Sequence, residues 1–542
     1  MLHLQKQADA PEAAAVAPTV GVPATPRETP REARKHIQLD PVDEYLSQQS
    51  GLVQRTTDKQ MCQHAGNVMC EHCMPLEPYD ASILREKDLK AHSFQAYLRK
   101  LRSTTAKDKF FTLETHSFAV KPCRNHPPWP AAICTECQPR SMTMDRQKFR
   151  HVDHVEFQSM DILNTFLSSW RETGLQRYGW LYGKYEPYDY APLGVKAVVY
   201  AIYEPPQIST GNTIDMPNDP DAHSVDELFK MLGLRQVGWI FTDLEPLKTD
   251  PSSVVCSRHT GSYFLRSNEV VLAAHLQNQN PSPCNACDDG SYGSKFVTVV
   301  VSGSTDNSIE PTAYMVSQQA MDMERDDVFA YCKDPTKARV RVSNAERFLP
   351  EIFYKEKSEY GAEITKRAEP YFPLDFMIVS LSVGAPVDAP PPMLDTDGFP
   401  IANRPTAHQD MMSVARYVKS RESSGASPLR VLSNPNLLIY LALKTELMSL
   451  EEGIPEITAA IAAGDEAAAA RCFTTPQWDS VLAAIMSLDA ADTPPRATEP
   501  SRPSTGGGDM GGAAPQGYWQ CGTCTYLNRN DLTACEMCGI PR

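Results

Sequence analysis

The sequence lacks the features of a membrane-spanning or secreted protein. It contains no run of about 18 apolar residues, the length that a bilayer-crossing helix needs. Its first residues, Met1 to Gln5, lead into alanines and prolines rather than into an apolar signal core, so secretion is not indicated. A formal net charge of −15 also disfavours general binding to the phosphate backbone of nucleic acids.

The composition is that of a folded protein with several domains. Hydrophobic residues make up 42% and charged residues 22% of the chain, which is ordinary for globular domains. A length of 542 residues exceeds what one hydrophobic core supports, so about two to four domains are expected. The 15 cysteines, most of them in metal-binding spacings, favour a reducing compartment, either the cytoplasm or the nucleus.

Four cysteines near the C-terminus follow the spacing C-x2-C-x10-C-x2-C and predict a tetrahedral zinc site: Cys521, Cys524, Cys535 and Cys538. About 25 residues bury too little apolar surface to fold unaided. A structural zinc contributes an apparent free energy of about 10–16 kcal/mol, which is enough to hold such a module together. A pair of surface disulfides is the alternative, but nothing else in the chain indicates secretion.

Two further clusters combine three cysteines with one histidine. Three thiolates and one imidazole complete a tetrahedral zinc, so neither site would keep an open position for a catalytic water. In the first cluster, at residues 62–73, either His64 or His72 could be the histidine ligand. His64 is preferred because it would form the first zinc knuckle together with Cys62. The alternative for both clusters is reduced cysteines in a hydrophobic core. With the terminal site, the sequence predicts three structural zinc ions, and the ligands of these two clusters are Cys62, His64, Cys70 and Cys73, and Cys123, His126, Cys134 and Cys137.

The terminal finger resembles the NZF type of zinc ribbon, a small ubiquitin-binding module. The resemblance is carried by Trp519, Asn528 and the pair Thr525-Tyr526, together with the four cysteines. In ubiquitin-binding members, a Thr-Phe pair and an apolar residue before the last cysteine contact the hydrophobic patch of ubiquitin. The resemblance therefore implies ubiquitin contacts at Thr525, Tyr526 and Met537, with tyrosine keeping the aromatic face. A finger that only caps the tail is the alternative.

Composition and periodicity predict a multidomain α+β protein. Residues 1–40 are rich in Ala, Pro, Glu and Arg without periodicity, which is typical of disorder. Pro, Ser, Gly and Thr dominate residues 490–516, which indicates a flexible linker. The predicted segments are a disordered tail (1–40), a zinc-finger region (41–152), a mixed α/β domain (153–330), a helix-rich C-terminal domain (331–489), the linker (490–516) and the terminal zinc finger (517–542).

Hydrophobic patterns predict the elements of the central segments. Short apolar runs predict buried strands at 195–203, 237–243, 296–303 and 376–383. One C-terminal helix has Asn434 as its N-cap and Pro435 at its first position and continues through Met448. Two more helices are predicted at 455–471 and 476–488. A helical stripe that ends at Gly174 comprises Met160, Leu163, Phe166, Leu167 and Trp170.

Residues 81–121 carry a local excess of positive charge in an acidic protein. Nine Lys or Arg residues stand against four acidic residues. Within this stretch, residues 92–101 predict a helix with Phe94, Tyr97, Leu98 and Leu101 on one face. The basic residues are either an ordinary solvated surface or a docking surface for an acidic protein partner.

The stretch Val-Gly-Trp-Ile-Phe-Thr-Asp at 237–243 resembles the signature strand of MPN domains, the fold of zinc-dependent deubiquitinating proteases. Active members carry a His-x-His pair directly after the Val-Gly-Trp step, and here those positions are Phe241 and Asp243. The 13 histidines include no His-x-His pair, and a hydrolytic zinc needs about three protein ligands and an open water position. The resemblance therefore implies an MPN scaffold without catalysis, and an MPN-type zinc deubiquitinase is the alternative. The lone pair Cys284 and Cys287 predicts a loop rather than a metal site.

Longer motifs resemble the nuclear protein localisation protein 4 family. They are CEHCMPLEPYD at 70–80, the segment 93–101, NHPPWP at 125–130, CTECQP at 134–139 and QKFRHVD at 147–153. The resemblance covers residues 42 to about 490 and the terminal finger. It implies a cofactor rather than an enzyme, which recruits polyubiquitylated proteins to the valosin-containing AAA ATPase together with ubiquitin fusion degradation protein 1.

The same resemblance implies how the parts would work. The two Cys3His fingers would rest on the ATPase ring, and the MPN-like and C-terminal domains would bind ubiquitin. Clients would be extracted for the proteasome, which implies a cytoplasmic and nuclear protein that is recruited to the endoplasmic reticulum membrane. Family members usually begin with a ubiquitin-like domain, whereas about forty residues precede the matching part here. Either the chain docks through its fingers and its heterodimer partner, or the given start is incomplete.

Overall fold

The computed structural model describes residues 2–3, 37–56, 61–62, 64, 68–105, 111–357, 360, 362–386, 388, 391–491, 518–520, 527–529 and 533–534. The chain divides into two compact units, Met1–Leu488 and Asp489–Arg542. Among the described residues, no helix has both the length and the apolarity to cross a membrane. Most of the predicted disordered tail and linker lies outside these residues.

The described residues contain thirteen α-helices, one short 3-10 helix (Leu374–Phe376) and 24 strands. In chain order the helices are α1 (Pro41–Gln48), α2 (Ala81–Glu86), α3 (Phe94–Thr104), α4 (Met160–Thr173), α5 (Ala222–Met231), α6 (Ser267–Gln279), α7 (Gln318–Arg325), α8 (Met411–Ser423), α9 (Pro428–Leu432), α10 (Pro435–Leu443), α11 (Ile454–Ala463), α12 (Glu466–Cys472) and α13 (Pro476–Ala491). The strands are β1 (Leu2–His3), β2 (His92–Ser93), β3 (Met142–Met144), β4 (Phe149–Arg150), β5 (His154–Phe157), β6 (Tyr178–Tyr188), β7 (Gly194–Tyr203), β8 (Ile208–Ser209), β9 (Ile214–Asp215), β10 (Arg235–Asp243), β11 (Pro246–Leu247), β12 (Asp250–Val254), β13 (Pro281–Pro283), β14 (Ser291–Ser294), β15 (Val297–Gly303), β16 (Ile309–Val316), β17 (Phe329–Tyr331), β18 (Lys337–Val340), β19 (Ile352–Lys357), β20 (Glu363–Arg367), β21 (Tyr371–Pro373), β22 (Ile378–Gly384), β23 (Tyr518–Gln520) and β24 (Leu527–Arg529).

A closed barrel of seven strands organises the first unit, in the order β10-β15-β16-β22-β5-β7-β6. Strands β10 and β15 run parallel, as do β5 with β7 and with β22. The four predicted strands all lie in this barrel. Every residue of β15 is buried, which explains its continuous run of valines. Strand β22 lies beyond residue 330, so the barrel extends past the domain boundary that the sequence predicted there.

Helix α4 packs against the barrel through the predicted apolar stripe. The Ser159 hydroxyl accepts a hydrogen bond from the Asp161 amide (3.1 Å), and the helix ends at Gly174, whose φ of +68° is left-handed. Four members of the stripe are buried in the barrel core, but Met160 is 45% exposed. The inclusion of Met160 was therefore wrong, because this first helical residue faces solvent.

The helix predicted at 92–101 is α3, and it joins the finger region to the barrel unit. Ser93 caps it, and Phe94 and Leu98 are buried beside Phe149. Cys284 and Cys287 lie in the same apolar cluster, where burial raises the pKa of the Cys284 thiol to about 11. The pair therefore packs in an apolar cluster, in the loop between β13 and β14, in agreement with the predicted loop.

The C-terminal part of the first unit is helical, with differences from the predicted bounds. The Asn434 side chain accepts hydrogen bonds from two amides of α10, and Pro435 is the first helical residue, as predicted. Helix α10 ends at Leu443, so Met448 lies beyond it but still in the same core. The helix predicted at 455–471 is two helices, because Gly464 adopts a left-handed φ of +64°. Helix α13 reaches Ala491, beyond the predicted end at 488.

A buried ionic clamp joins the barrel to the segment that leads into these helices. The Glu204 carboxylate accepts hydrogen bonds from Arg177 Nε and Nη2 (3.0 and 2.7 Å) and from Arg404 Nε (3.1 Å). The side chains of Arg177 and Glu204 are each 2% exposed and that of Arg404 is 9% exposed. Arg177 also donates to the Asn403 carbonyl. One carboxylate therefore holds two arginines, one from each part of the unit.

A second group of buried charges lies where the finger region enters the barrel. One Asp153 carboxylate oxygen accepts from the Val195 amide (3.1 Å), while the other has no hydrogen-bond partner. Burial raises the pKa of Asp153 to about 7, opposed by the charge of Arg150. Arg150 is itself buried, and its Nη1 donates to the Ser380 carbonyl (3.2 Å). The folded protein therefore favours the protonated form of Asp153.

We expect Asp153→Asn to change the pH dependence of stability. The unfolded pKa of about 3.9 is lower than the folded value, so the stability that Asp153 contributes to wild type falls as pH rises from about 4 through about 7. Relative to wild type, the variant should therefore be more stable at pH 8 than at pH 5, with a gain of about 1–3 kcal/mol in its free energy of unfolding. Urea titrations at both pH values measure this difference. Asp145→Asn, at an exposed aspartate, is the control, and equal behaviour of the two variants would contradict the prediction.

The second unit contains the hairpin β23–β24 of the predicted terminal finger. Trp519 pairs with Asn528 across this antiparallel hairpin and is buried. The predicted zinc ligands and ubiquitin contacts lie outside the described residues: Cys521, Cys524, Cys535, Cys538, Thr525, Tyr526 and Met537.

Candidate metal centres

The structure brings the four predicted ligands of the first cluster together. The Cys70 Sγ lies 3.7 Å from the Sγ atoms of both Cys62 and Cys73, and the His64 Nε2 lies 3.2 Å from the Cys73 Sγ. Tetrahedral zinc with Zn–S bonds of about 2.3 Å requires sulfur atoms about 3.8 Å apart. His64 rather than His72 completes this cluster, and His72 is exposed. The geometry fits one zinc ion.

The second cluster repeats this arrangement. The Cys134 Sγ lies 3.8 Å from the Cys123 Sγ and 3.6 Å from the Cys137 Sγ, and the His126 Nε2 lies 3.3 Å from the Cys137 Sγ. The His126 Nδ1 is 2.7 Å from the Pro127 carbonyl. A hydrogen bond donated from Nδ1 would fix the tautomer that leaves Nε2 free for a metal. This second tetrad therefore also fits zinc.

Both clusters contain the same type of turn, whose sequence pattern is C-x2-C-x-P. The amide of Cys70 donates to the Cys73 Sγ, and the amide of Cys134 donates to the Cys137 Sγ, both at 3.2 Å. Burial raises the pKa of the Cys70 thiol, but amide and thiol hydrogen bonds outweigh it and lower the pKa to about 6. Hydrogen bonds from the Glu136 and Cys137 amides lower the pKa of Cys134 to about 6 as well. Thiolates are the form that binds zinc.

These are the two groups of three or more metal-type ligands found among the described residues. Zinc bound there would hold each finger in its fold. It would do no bond chemistry, because all four positions of each tetrahedron are filled by protein ligands.

A cleft of about 560 Å³ lies beside the second cluster and was not anticipated from the sequence. Trp129 and Phe348 meet edge to face, with ring centroids 5.3 Å apart, and Trp129 Nε1 donates to the Asn344 carbonyl (3.0 Å). Trp129 belongs to the NHPPWP motif at 125–130. Its partners come from a loop more than 200 residues away, which no local pattern indicates.

The barrel strand that resembles the MPN signature carries Phe241 and Asp243, and no histidine, at the two histidine positions. Phe241 is buried and stacks on Trp239, with centroids 4.8 Å apart. Asp243 accepts from Arg258 Nε (2.8 Å), and the Arg258 guanidinium is also bound by both carboxylate oxygens of Glu269 (2.8 and 2.7 Å). Burial lowers the pKa of Arg258, but the two carboxylates outweigh it and raise the pKa. Arg258 therefore pairs, as a charged arginine, with the carboxylates of Asp243 and Glu269. No pattern in the sequence indicated this residue.

Family comparisons agree with the two clusters and the barrel. The NPL4 family model matches residues 177–487, and the NPL4 family model for the zinc binding region matches residues 37–174. The chain is 39% identical over 517 residues to the rat protein called nuclear protein localization protein 4 homolog, covering 94% of this chain and 83% of the relative.

Two further relatives extend the comparison. The human protein of the same name is 39% identical over 513 residues, covering 93% of this chain and 82% of the relative. Nuclear protein localization protein 4 of Saccharomyces cerevisiae is 36% identical over 458 residues, covering 81% of this chain and 79% of the relative. Matches of this extent, over both the finger region and the barrel, show that the chain belongs to the NPL4 family.

Proposed function

We propose that this chain is a ubiquitin-binding cofactor that recruits polyubiquitylated proteins to the hexameric valosin-containing AAA ATPase. It would act with ubiquitin fusion degradation protein 1 and deliver clients for unfolding and proteasomal degradation, including clients at the endoplasmic reticulum membrane. The supporting observation is membership of the NPL4 family over both the finger region and the barrel. The cytoplasm and the nucleus are the proposed locations.

The arrangement at the MPN-like signature strand supports a binding role over a hydrolytic one. A zinc ion at positions 241 and 243 would have no histidine ligand, and the Asp243 carboxylate is already engaged by Arg258 (2.8 Å). Arg258 would also place a positive charge beside the metal. The barrel would then serve as an MPN-like scaffold that presents surfaces to ubiquitin. Incubation with ubiquitin oligomers should release no monomer, and chelator-sensitive release would overturn this part of the proposal.

The terminal finger would add a second ubiquitin contact. A single NZF–ubiquitin contact is expected to be small and weak. Tethering the finger through residues 490–516 to a second ubiquitin site in the first unit would raise the effective concentration of the finger. Chains of ubiquitin would then bind more tightly than monoubiquitin through avidity. With the two Cys3His clusters, the finger would bring the proposed zinc content to three per chain.

We expect Thr525→Ala combined with Tyr526→Ala to lower polyubiquitin capture by about 10-fold or more, since avidity gains of about 10²–10⁴ depend on both contacts. Folding and attachment to the ATPase should be unchanged. A pull-down with ubiquitin chains measures capture, and Thr533→Ala, at an exposed threonine of the same unit, is the control. Unchanged capture by the double variant would exclude the terminal finger as a ubiquitin receptor.

A further inference from the structure

The first finger carries an exposed cluster of methionines. Met61, Met69 and Met74 are 54%, 61% and 52% exposed, and each is the direct neighbour of a cysteine of the first tetrad. Val68, which precedes Met69, is 66% exposed. Among the described residues, five methionines are at least 45% exposed, and three of them lie in this finger. The first finger therefore presents a concentrated set of apolar thioether side chains to solvent.

The turn that holds this cluster does not depend on the methionine side chains. The Cys73 and Met74 amides donate to the Cys70 carbonyl at 3.1 and 2.8 Å, and the Cys70 amide donates to the Cys73 Sγ at 3.2 Å. Arg55 Nη1 donates to the Glu71 carbonyl at 3.0 Å, which links the turn to the preceding segment. A chemical change at the exposed sulfur atoms should therefore leave the fold of the finger intact.

Exposed apolar side chains that are concentrated in one place indicate a contact with another protein. Methionine suits such a surface because its thioether is polarisable and its unbranched side chain adapts to a partner. The second finger lacks this feature. Residues 119–139 contain no methionine, and Trp129 donates to the Asn344 carbonyl and meets the Phe348 ring of the same chain. The first finger is therefore the one that offers a free apolar surface among the described parts of the two fingers.

Exposure also makes these sulfur atoms accessible to oxidants. An oxidant of the hypochlorite class transfers its oxygen atom to the thioether: the S=O bond forms, the O–Cl bond breaks, and chloride leaves with the electron pair. Two thiols reverse the step through a methionine sulfoxide reductase, because they become a disulfide while the oxygen leaves as water. The sulfoxide is polar, and burying it against an apolar partner without a hydrogen bond is unfavourable.

We propose that Met61, Met69 and Met74 form a reversible sulfoxidation site that controls the attachment of the first finger to the ATPase. This inference rests on the proposed function, which supplies the partner. The reduced methionines give the finger an apolar contact surface, and the sulfoxides remove that surface while the finger keeps its fold. Since the second finger contains no methionine between residues 119 and 139, the modification acts on the first finger.

The first test maps the modification in the full chain without the ATPase. After brief treatment with hypochlorite, peptide mass spectrometry should find about 10-fold or more sulfoxide at the three finger methionines than at Met142 and Met323, which are 1% and 0% exposed. Zinc content, measured in the same samples, should remain unchanged while the sulfoxides form. Equal sulfoxide at finger and buried positions would overturn the proposal. Zinc loss ahead of sulfoxidation would identify the cysteines as the sensitive residues and would also overturn it.

The second test measures the affinity of the full chain for the hexameric ATPase. Oxidation should weaken wild-type attachment about 10-fold or more, and methionine sulfoxide reductase with a thiol reductant should restore it. Met61→Leu with Met69→Leu and Met74→Leu should make the affinity of the variant, whatever its starting value, insensitive to the same treatment. Met61→Gln with Met69→Gln and Met74→Gln should weaken attachment about 10-fold or more without any oxidant. Met160→Gln with Met486→Gln, at exposed methionines outside the finger, is the matched control.

The outcomes separate this inference from the function on which it rests. Untreated wild type that does not attach to the ATPase would overturn the proposed function and this inference together. Wild-type attachment that survives oxidation would overturn the sulfoxidation site alone. The same conclusion would follow if oxidation weakened attachment equally in wild type and in the leucine variant.

Discussion

Glu204→Gln should lower the free energy of unfolding of the first unit by about 3–5 kcal/mol, because it leaves two buried arginines without their shared carboxylate. Arg177 and Arg404 are 2% and 9% exposed, so water cannot replace the lost partner. The loss should affect the barrel and the helical part together, since the clamp joins them. Urea unfolding, followed by far-ultraviolet circular dichroism and by tryptophan fluorescence, measures both.

The control for this prediction is Glu156→Gln. Glu156 also accepts from a cation, Lys196, at 2.8 Å, but both side chains are partly exposed and Lys196 keeps Glu186 as a second partner. We expect a loss of about 1 kcal/mol or less, as for ion pairs near the surface. Similar losses for the two variants would show that the clamp at Glu204 does not depend on its burial.

Cys134→Ala should remove one zinc ion per chain and unfold the second finger locally. The Cys134 Sγ lies within 3.8 Å of both other sulfur atoms of its tetrad, so its loss breaks the coordination geometry. Metal binding supplies about 10–16 kcal/mol of apparent folding free energy to small zinc modules. Amides of residues 119–139 should therefore exchange at least 100-fold faster, while those around Cys70 should not change. Zinc released by acid and quantified with a colorimetric chelator measures the stoichiometry.

Cys332→Ala is the matched control, because it removes a thiol outside the clusters. The Cys332 Sγ lies 3.1 and 2.9 Å from the carbonyls of Asp334 and Lys337, and Cys332 belongs to neither tetrad. Its zinc content should equal that of wild type. Retention of the wild-type zinc content by Cys134→Ala would exclude the second tetrad as a metal site.

Local patterns predicted which residues come together in the two Cys3His clusters, and they predicted the main elements, because both depend on short spacings. The C-x2-C turns bring their sulfur atoms together within a few residues, and the Cys3His tetrads needed no distant contact. Asn434 and Pro435 specify the start of α10 by themselves. The break at Gly464 was missed because alanines on both sides favour helix, whereas the left-handed glycine ends α11.

Distant contacts could not be predicted in the same way. Arg258 reaches Asp243 and Glu269 through the fold, and no spacing in the sequence relates the three residues. His151 illustrates the same point: its ring fills the space where a Cβ at Gly293 would stand, 2.0 Å from its Nε2. The glycine is required by a side chain 142 positions away.

Strand β22 comes late in the chain but lies in the middle of the barrel, between β16 and β5. A fragment that contains the complete barrel must therefore extend at least to Gly384. A truncation at residue 330 would remove the strand that lies between β16 and β5 and leave their hydrogen-bonding edges open side by side. Open edges of this kind pair with other chains. Proteolytic or recombinant pieces that stop before Gly384 should therefore aggregate.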